Sequence, residues 1–411
     1  MHAFDPFDAD VLDDPATAYG ALRERGPVHW YPGLSGFFLF TRYDDVASAL
    51  RDHQRWSFRW GGGPSRELGA GLFSDPPEHT LFRRMLGPAH SPGAVARLRH
   101  EVEAQALDLV EKMVSNGPPG DLHDDLAVPL PVNVIARMLG VPAEQRNDFK
   151  RWSDETVLAM NSEDPAPSRT VRAVVAEFFN EMIDQRQQLL AGSDQVSDAM
   201  LGDVLPDDLV SRLVIADHTI RPMTRAEMTS VLHQQLIGGN ETTTSLITNV
   251  VLRLLELPAV TAAVRADPTL VDVAVEESLR FDPPVLGLFR TNDEEVTIGD
   301  VTVPKDSKTL MLYASANRDP RAWHDPDTFR VDRDLAGLRR RQLSFGAGIH
   351  TCQGALLARM EAGIALRLAL DRFPGLRLAG PTQRVKPFLM WGRAKMPITW
   401  DDHRARQHAT H

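Results

Sequence analysis

The chain contains a single cysteine, Cys352, whose surroundings suggest chemistry. A lone cysteine cannot form an intramolecular disulfide, and without a second thiol it is a poor start for a structural zinc site. As a thiolate it could ligate a metal or act as a nucleophile; a buried apolar thiol is the ordinary alternative. Helical periodicity from Gln353 onward places the thiol at a helix N-terminus, which lowers the pKa of a cysteine. Glycines at 346, 348 and 354 let the backbone approach a flat partner closely.

A second unusual segment lies in the middle of a long predicted helix. This helix begins at the capping box formed by Thr224 and Glu227 and continues to Leu257. Two adjacent glycines at 238 and 239 cost about 1 kcal/mol each relative to alanine, and three β-branched threonines follow. Residues that disfavour the helix in which they lie are expected at functional sites. A glycine pair alone is also typical of a kink or a close helix crossing.

Two pairs of charged residues follow helical spacing. His79 and Arg83 are four residues apart, on one face of a helix that begins after two prolines. Taken alone, such a pair is typical of a solvated helix surface. Glu277 and Arg280 are three residues apart, and an exposed ion pair at this spacing contributes only a few tenths of a kcal/mol.

The segment Phe345–Gly354 has the pattern Phe-Gly-x-Gly-x-His-x-Cys-x-Gly and resembles the haem-binding loop of the cytochrome P-450 family. The resemblance implies that Cys352 is the proximal thiolate ligand of haem b, iron protoporphyrin IX. Further haem-binding residues implied by this loop are Phe345, Gly346, His350 and Gly354. Gln353 stands where an aliphatic residue is more usual. Its amide either adds a hydrogen bond near the sulfur or faces solvent.

The same resemblance assigns roles to the other candidate residues. The glycine-threonine segment is similar to the family's distal helix, whose small residues open a groove for dioxygen. Its acid–alcohol pair, which delivers protons, is by position Glu241 and Thr242. Glu277 and Arg280 match a structural Glu-x-x-Arg element that holds the cysteine loop. The cationic donors expected for the two haem propionates are His79, Arg83, Arg290 and His350.

The resemblance also indicates a substrate pocket built from four separate stretches of the chain. Its expected lining is mainly aromatic and aliphatic, which favours a hydrophobic organic substrate. Each of these residues is individually just as compatible with an ordinary core. The expected lining residues are Trp60, Leu72, Phe73, Leu236, Gly239, Val285, Leu286, Leu288, Leu389 and Met390.

Most of the elements that must position these residues are predicted helices. Apolar residues recur at helical spacing over 94–114, 171–190 and 356–373. Strand-like segments are fewer, at 28–31, 37–41, 295–303 and 309–312. Because no composition break divides the chain, we predict one catalytic domain over 1–411, with a flexible tail at 401–411. The resemblance implies a single-domain fold that is mainly α with small β-sheets, a triangular helical prism with haem between a distal and a proximal helix.

Composition narrows the class of protein. Apolar residues make up 43% of the chain, which is ordinary for a globular protein. No apolar run reaches the roughly 18 residues of a membrane helix, and the acidic N-terminus lacks the features of a signal peptide. With one unpaired thiol, these features indicate a soluble, cytoplasmic protein, and within the family a bacterial one. The net charge of −11 argues against nucleic acid as a partner.

The expected activity is insertion of one atom of O2 into a C–H bond or across a C=C bond of a hydrophobic small molecule. Electrons would come from NAD(P)H through a ferredoxin reductase and a ferredoxin or flavodoxin-type donor. The basic run Arg339–Arg341 favours docking of such an acidic donor, with an ordinary solvated run as the alternative. We expect a monomer. The alternative functions are a peroxide-driven peroxygenase, a haem protein that binds a ligand without turnover, and a cysteine hydrolase without haem.

Overall fold

The computed structural model describes residues 4–66, 71–159, 166–193 and 195–401. Helices dominate it, so the expected fold class, mainly α with small β-sheets, is confirmed. The tail predicted at 401–411 lies, apart from its first residue, outside the described residues. The α-helices are α1 (Ala9–Asp13), α2 (Pro15–Arg25), α3 (Tyr43–Arg51), α4 (Glu78–Leu86), α5 (Pro92–Asn116), α6 (Pro129–Leu139), α7 (Arg146–Ala159), α8 (Ala166–Leu189), α9 (Leu209–Thr219), α10 (Arg225–Gly239), α11 (Glu241–Glu256), α12 (Pro258–Ala266), α13 (Leu270–Phe281), α14 (Tyr313–Ala316), α15 (Leu335–Arg341) and α16 (Ala355–Arg372).

The strands form small sheets at the edge of the helical body. The largest sheet has the order β1 (Val28–Tyr31), β2 (Phe37–Phe40), β8 (Lys308–Met311), β5 (Leu288–Asn292) and β3 (Trp56–Ser57). In it β2 and β8 are parallel, and the other neighbours are antiparallel. The segment predicted as one strand over 295–303 is a hairpin instead, because Gly299 turns the chain at a φ of 59°. The strands are β1 (Val28–Tyr31), β2 (Phe37–Phe40), β3 (Trp56–Ser57), β4 (Gly120–Asp121), β5 (Leu288–Asn292), β6 (Val296–Ile298), β7 (Val301–Val303), β8 (Lys308–Met311), β9 (Arg377–Leu378), β10 (Gln383–Arg384), β11 (Arg393–Lys395) and β12 (Pro397–Thr399).

Helix α16, which follows the cysteine loop, lies in the middle of the main hydrophobic core. It packs against α5, α11 and α13. Leu357 and Ile364, seven residues apart, lie on one face of it, Leu366 lies on the opposite face, and all three are buried. A helix that is apolar around much of its circumference must be enclosed by neighbours. This packing holds the first turn of α16, and the cysteine before it, in a fixed position.

The long helix predicted from Thr224 is interrupted rather than continuous. Helix α10 ends at Gly239 and α11 begins at Glu241, while Asn240 between them has φ −103° and ψ −81°. The Asn240 side chain is fully buried, and neither polar atom of its amide has a hydrogen-bond partner among the described residues. Such unsatisfied burial costs about 1–3 kcal/mol. The predicted anomaly is therefore a real break in the helix.

No single helix in the described ranges is both long and apolar enough to cross a membrane. One pair of segments, Arg225–Glu256 with Pro258–Ala266, is long and apolar enough only when the two are taken together. The chain bends by 109° between them. Helix α11 of this pair contributes Ile247, Val250 and Leu254 to the main core.

Candidate active site

The loop that presents Cys352 depends on backbone conformations that favour glycine. The N–H of Cys352 donates to the carbonyl of Phe345 at 2.8 Å, which closes the loop. Gly346 and Gly348 have φ of 70° and 72°. A Cβ on Gly348 would lie 2.8 Å from the carbonyl oxygen of Leu50 at the end of α3. Glycine is therefore required there both for conformation and for the close approach of the two segments.

The thiol of Cys352 lies just before the first turn of α16 and is accessible on one side. Burial on its other sides raises the pKa of Cys352, although the N–H groups of Gly354 and Ala355 and the charges of Arg83 and Arg359 oppose the rise. The expectation that the helix terminus lowers this pKa is therefore corrected. The predicted effect is present, but desolvation is larger. A thiolate here needs a cation on the sulfur, as a metal would provide.

Gln353 follows the thiol directly, and the sequence allows two positions for its amide. Its amide oxygen is buried and accepts no hydrogen bond from the described residues. This oxygen therefore does not face solvent, and no hydrogen bond between the amide and the neighbouring sulfur is seen.

Glu277 and Arg280 form a fully buried ion pair on α13. Arg280 donates through Nε and Nη2 to the two carboxylate oxygens of Glu277 at 2.8 and 2.7 Å, and both side chains are 0% exposed. Arg280 also donates to the carbonyls of Asn317 and Pro326 at 2.9 and 2.7 Å. Arg333 supplies a second cation to Glu277 at 3.0 Å. The pair thus ties α13 to the segment 317–333.

From this pair a chain of hydrogen bonds leads to the cysteine loop. The side-chain oxygen of Asn317 accepts from the N–H of Leu343 at 2.8 Å, and its Nδ2 donates to Ser344 Oγ at 2.8 Å. Ser344 in turn donates to a carbonyl of α13. These contacts support the structural role that the sequence predicted for Glu277 and Arg280.

A neighbouring buried pair was not predicted. Arg359 of α16 donates to both carboxylate oxygens of the fully buried Glu276 at 2.7 and 2.8 Å, and Gln342 donates to the same carboxylate at 3.0 Å. The Arg359 guanidinium lies 4.5 Å from the ring centroid of Phe345. The two charges are 83 residues apart, so no local spacing could reveal them.

The four predicted cationic donors come together beside the cysteine loop. His79 and Arg83 lie on α4, Arg290 on β5 and His350 in the short 3-10 turn before the cysteine. The rings of His79 and His350 are 4.1 Å apart, and Arg83 donates to the carbonyl of Thr351 at 2.8 Å. His79 is 3% exposed and Arg290 is 2% exposed. Three distant segments thus converge on one face of the loop.

This cluster fits an anionic group such as a pair of propionates. Nδ1 of His79 and both ring nitrogens of His350 are buried without a partner, and no carboxylate in the described part of the chain pairs with Arg83 or Arg290. Burial lowers the pKa of Arg290 to about 10, and burial followed by the Arg83 charge lowers the pKa of His79 to about 4. Donors without acceptors and cations without anions are what a bound dianion would satisfy.

Glu241 opens α11 as a buried acid with charged residues in its surroundings. Only 9% of it is exposed, and burial raises the pKa of Glu241. The charge of Lys150 lowers this pKa and that of Asp154 raises it, and these two form an ion pair on α7. His123 also acts on Glu241 electrostatically. The arrangement suits an acid that exchanges protons with groups nearer to solvent.

Thr242, the predicted alcohol, donates its hydroxyl to the carbonyl of Gly238 at 2.9 Å. This leaves the lone pairs of the hydroxyl free to accept. A Cβ on Gly238 would meet nothing within 4 Å, so the residue faces open space. The helix break at Asn240, the open side of Gly238 and the Thr242 hydroxyl thus lie next to one another.

Two residues of α10 that were predicted to line the pocket face other helices instead. A Cβ on Gly239 would lie 2.7 Å from Ile135 of α6, and Leu236 is fully buried in the main core. Both were predicted to line the pocket, but these contacts turn them towards other helices. Gly238 and Ile237 lie on the opposite side of α10, where Ile237 packs with Val385 and Met390. The glycine pair alone does not reveal which of the two glycines faces open space.

The predicted loop residues are held in place by polar contacts. Nζ of Lys308 on β8 donates to the carbonyls of Trp60 and Gly61 at 2.6 and 3.1 Å. The N–H of Leu72 donates to the side chain of Gln234 on α10 at 2.8 Å. These bonds attach both ends of the predicted pocket loop to the body of the protein.

The remaining predicted pocket residues lie in three different places. Val285 and Met390 form a β-bridge and pack in one cluster with Ile237. Leu286 and Leu389 are instead buried in the core beneath β2 and β5, so the structure does not place them with that cluster. Leu288 lies beside the glycine loop, 3.7 Å from where a Cβ on Gly62 would be. Alternation along an extended segment explains the separation, since neighbouring side chains point to opposite faces.

Lys308 should make stability depend on pH. Burial lowers the pKa of Lys308 to about 7, well below the value of an unfolded chain. Between these two values the unfolded state binds more protons, so this residue makes stability rise with pH. The free energy of unfolding of the protein minus that of Lys308→Met should increase from pH 7 to pH 9, by up to about 1.4 kcal/mol per pH unit. Denaturant titrations at several pH values measure it.

The exposed Lys305, three residues away, supplies the control for this prediction. The same difference measured with Lys305→Met should not change over this pH range. If the difference in free energy of unfolding for Lys308→Met also stays constant from pH 7 to pH 9, Lys308 has the same affinity for protons in the folded and unfolded states.

Comparisons with known proteins identify the class to which this fold and site belong. The Cytochrome P450 family model matches residues 21–389. Cytochrome P450 monooxygenase PikC of Streptomyces venezuelae is 36% identical over 408 residues, which are 95% of this chain and 92% of that protein. Vitamin D(3) 25-hydroxylase of Pseudonocardia autotrophica is 33% identical over 413 residues, 96% of each. The crystal structure of CYP109E1 from Bacillus megaterium in complex with testosterone has a TM-score of 0.84 at 26% identity, covering 95% of this chain and 99% of that one.

The chain belongs to the cytochrome P450 family. Its relatives are named monooxygenases, hydroxylases and epoxidases, and it is an oxidoreductase that incorporates oxygen and binds haem iron. The alternative of a cysteine hydrolase without haem is thereby excluded.

Proposed function

We propose that the protein inserts one atom of O2 into a hydrophobic small molecule, by C–H hydroxylation or epoxidation, on haem b held by Cys352. The observation that carries this proposal is that three features of the site occur together. The single thiol lies beside a buried cluster of unpaired cations, and a helix break with an acid and an alcohol supplies a distal groove. No other group of residues in the described chain combines these three features.

In this proposal the haem would be held by residues from both sides of the loop. Cys352 would ligate the iron, and His79, Arg83, Arg290 and His350 would hold the propionates. When bound, the haem supplies the redox chemistry that activates dioxygen, and a thiolate ligand favours cleavage of the O–O bond. Phe345, Gly346 and Gly354 would shape the loop that approaches the macrocycle.

On the distal side, Thr242 and Glu241 would control protons and water. The Thr242 hydroxyl, anchored to Gly238, has free lone pairs that can accept a hydrogen bond from an ordered water in the groove. Glu241, whose pKa is raised by burial, can carry a proton to this groove and recover one through the Lys150 and Asp154 side. The opening beside Gly238 leaves room for a small molecule.

The pocket residues support a hydrophobic substrate. Ile237, Val285 and Met390 form an apolar cluster, and the loop that carries Trp60, Leu72 and Phe73 would contribute further apolar surface. One of the compared proteins is named a vitamin D(3) 25-hydroxylase, and another was crystallised in complex with testosterone. Both of these small molecules are large and apolar. A binding screen of such compounds, read by the low-spin to high-spin shift of the haem, tests this class.

The electron donor would be a ferredoxin or flavodoxin-type protein that receives electrons from NAD(P)H. The basic run on α15 supports this only in part, because Arg339 lies near Asp272 and Glu276, and Arg341 stacks on Trp323. Arg340 lies 3.9 Å from Asp334 but is 72% exposed, so it is the member most open to an acidic partner.

Thr242→Ala should uncouple electron consumption from product formation. Without the hydroxyl that orders water in the groove, product per NAD(P)H should fall by about a hundredfold, the usual size of a lost proton-transfer group, while hydrogen peroxide accumulates. Product and peroxide are measured with a ferredoxin and its reductase as donors. Thr170→Ala is the control, since that hydroxyl makes the same bond to the carbonyl four residues earlier, at 3.1 Å, on the surface of α8.

Two outcomes would contradict the proposed function. Turnover with hydrogen peroxide but not with donor proteins would identify a peroxygenase. Full coupling in Thr242→Ala would remove Thr242 from the proton path.

A further inference from the structure

Phe58 was not predicted as a site residue, yet its ring lies between two of the proposed haem contacts. It follows β3 directly and is 3% exposed. The guanidinium carbon of Arg290 lies 3.2 Å from the ring centroid. The ring of His350 is 4.6 Å away and nearly perpendicular, at 69°. One aromatic side chain therefore contacts a cation through its face and an imidazole from the side.

The position of this ring is itself fixed from several directions. The N–H of Phe58 donates to Oδ1 of Asp75 at 3.0 Å, and Ser57 donates to the other oxygen of that carboxylate. Phe73 packs on the ring at a centroid distance of 5.3 Å. A Cβ on Gly62 would lie 3.2 Å from the ring, which leaves little room for it to turn. The orientation of the aromatic ring is therefore fixed by contacts within the protein alone.

Arg290 needs such a support because it has few other partners. It is almost completely buried, and it donates one hydrogen bond, to the carbonyl of Phe289 at 3.3 Å. No carboxylate of the described residues lies within ion-pair distance of it. The electron-rich face of an aromatic ring attracts a cation, and the attraction is strongest when the pair is desolvated. Stacking on Phe58 therefore stabilises the Arg290 charge and fixes the plane of its N–H groups.

We propose that Phe58 is a positioning residue for the haem. Its ring holds the Arg290 guanidinium and the His350 imidazole in the orientations in which their N–H groups meet the propionates. The proposal rests on the proposed haem contacts of these two residues. Phe58 itself donates nothing to the haem and acts only through them.

The test replaces the ring while keeping its volume. In Phe58→Met the holoprotein should release haem to excess apomyoglobin about tenfold faster, as expected for loss of a desolvated cation–π contact. Its midpoint potential should become more negative, because a less precisely placed Arg290 compensates the charge of the propionates less. Phe58→Tyr, which keeps the ring, should behave like the unchanged protein. The control Phe149→Met, at a phenylalanine of α7 that is 1% exposed, should lose stability without moving the potential.

A double-mutant cycle with Arg290→Lys separates this role from ordinary packing. The effects of Phe58→Met and Arg290→Lys on haem release should be strongly non-additive. Additive effects, an unmoved potential, or equal losses in Phe58→Met and Phe58→Tyr would each overturn the proposal. If Arg290→Lys and His350→Ala leave haem release unchanged, the proposed haem contacts fail instead. If haem is released faster in Arg290→Lys but not in Phe58→Met, the positioning role of Phe58 is rejected and the haem contact of Arg290 is retained.

Discussion

Cys352→Ser should abolish the long-wavelength Soret band that a thiolate-ligated haem gives when its reduced form binds carbon monoxide. A serine hydroxyl is a far weaker donor than a thiolate and does not push electron density towards the iron. Donor-dependent product formation should fall below detection for the same reason. The spectrum of the reduced protein with carbon monoxide measures the first effect, and product analysis measures the second. The loss should not unfold the protein, since the thiol is accessible on one side.

The neighbouring Gln353→Leu variant is the matched control for this result. It changes the residue beside the ligand to an aliphatic one and removes the amide oxygen that is buried without a partner. The Soret band should remain in place, and stability should be unchanged or higher, because an unsatisfied buried acceptor is lost. A retained band in Cys352→Ser would show that another residue ligates the iron.

Arg280→Leu should destabilise the protein by about 3–5 kcal/mol, the usual cost of removing one partner from a buried ion pair. The substitution leaves the Glu277 carboxylate at 0% exposure with Arg333 as its remaining cation. It also removes hydrogen bonds to the carbonyls of Asn317 and Pro326. Because Asn317 bonds to the start of the cysteine loop, haem content should fall together with stability. Denaturant unfolding and haem content per chain measure the two effects.

An exposed ion pair with the same spacing provides the comparison. Arg151 lies three residues after Asp148 on α7, with side chains 59% and 49% exposed. Arg151→Leu should change the free energy of unfolding by at most about 0.5 kcal/mol, since exposed pairs contribute little. A similar small effect for Arg280→Leu would mean that the Glu277 pair does not support the loop.

The reaction class and much of the haem site were predictable because they depend on short stretches of sequence. The Phe345–Gly354 pattern combines glycines that the loop conformation requires with the single thiol, and all of these are local properties. The capping box at Thr224 and the glycine–threonine run likewise predicted an unusual helix, and the structure shows a break at Asn240. The separate positions of His79, Arg290 and His350 were joined only through the family resemblance.

Relations between distant residues could not be read from the chain. The Glu276–Arg359 pair, the ring of Phe58 on Arg290 and the side of α10 that faces the groove all depend on how helices and strands pack. Helical spacing says that two residues share a face, but only packing shows which face is covered and by what. The pKa of Cys352 illustrates the physical reason. Its helix terminus is local and acts as predicted, while the larger effect, desolvation, comes from the tertiary surroundings.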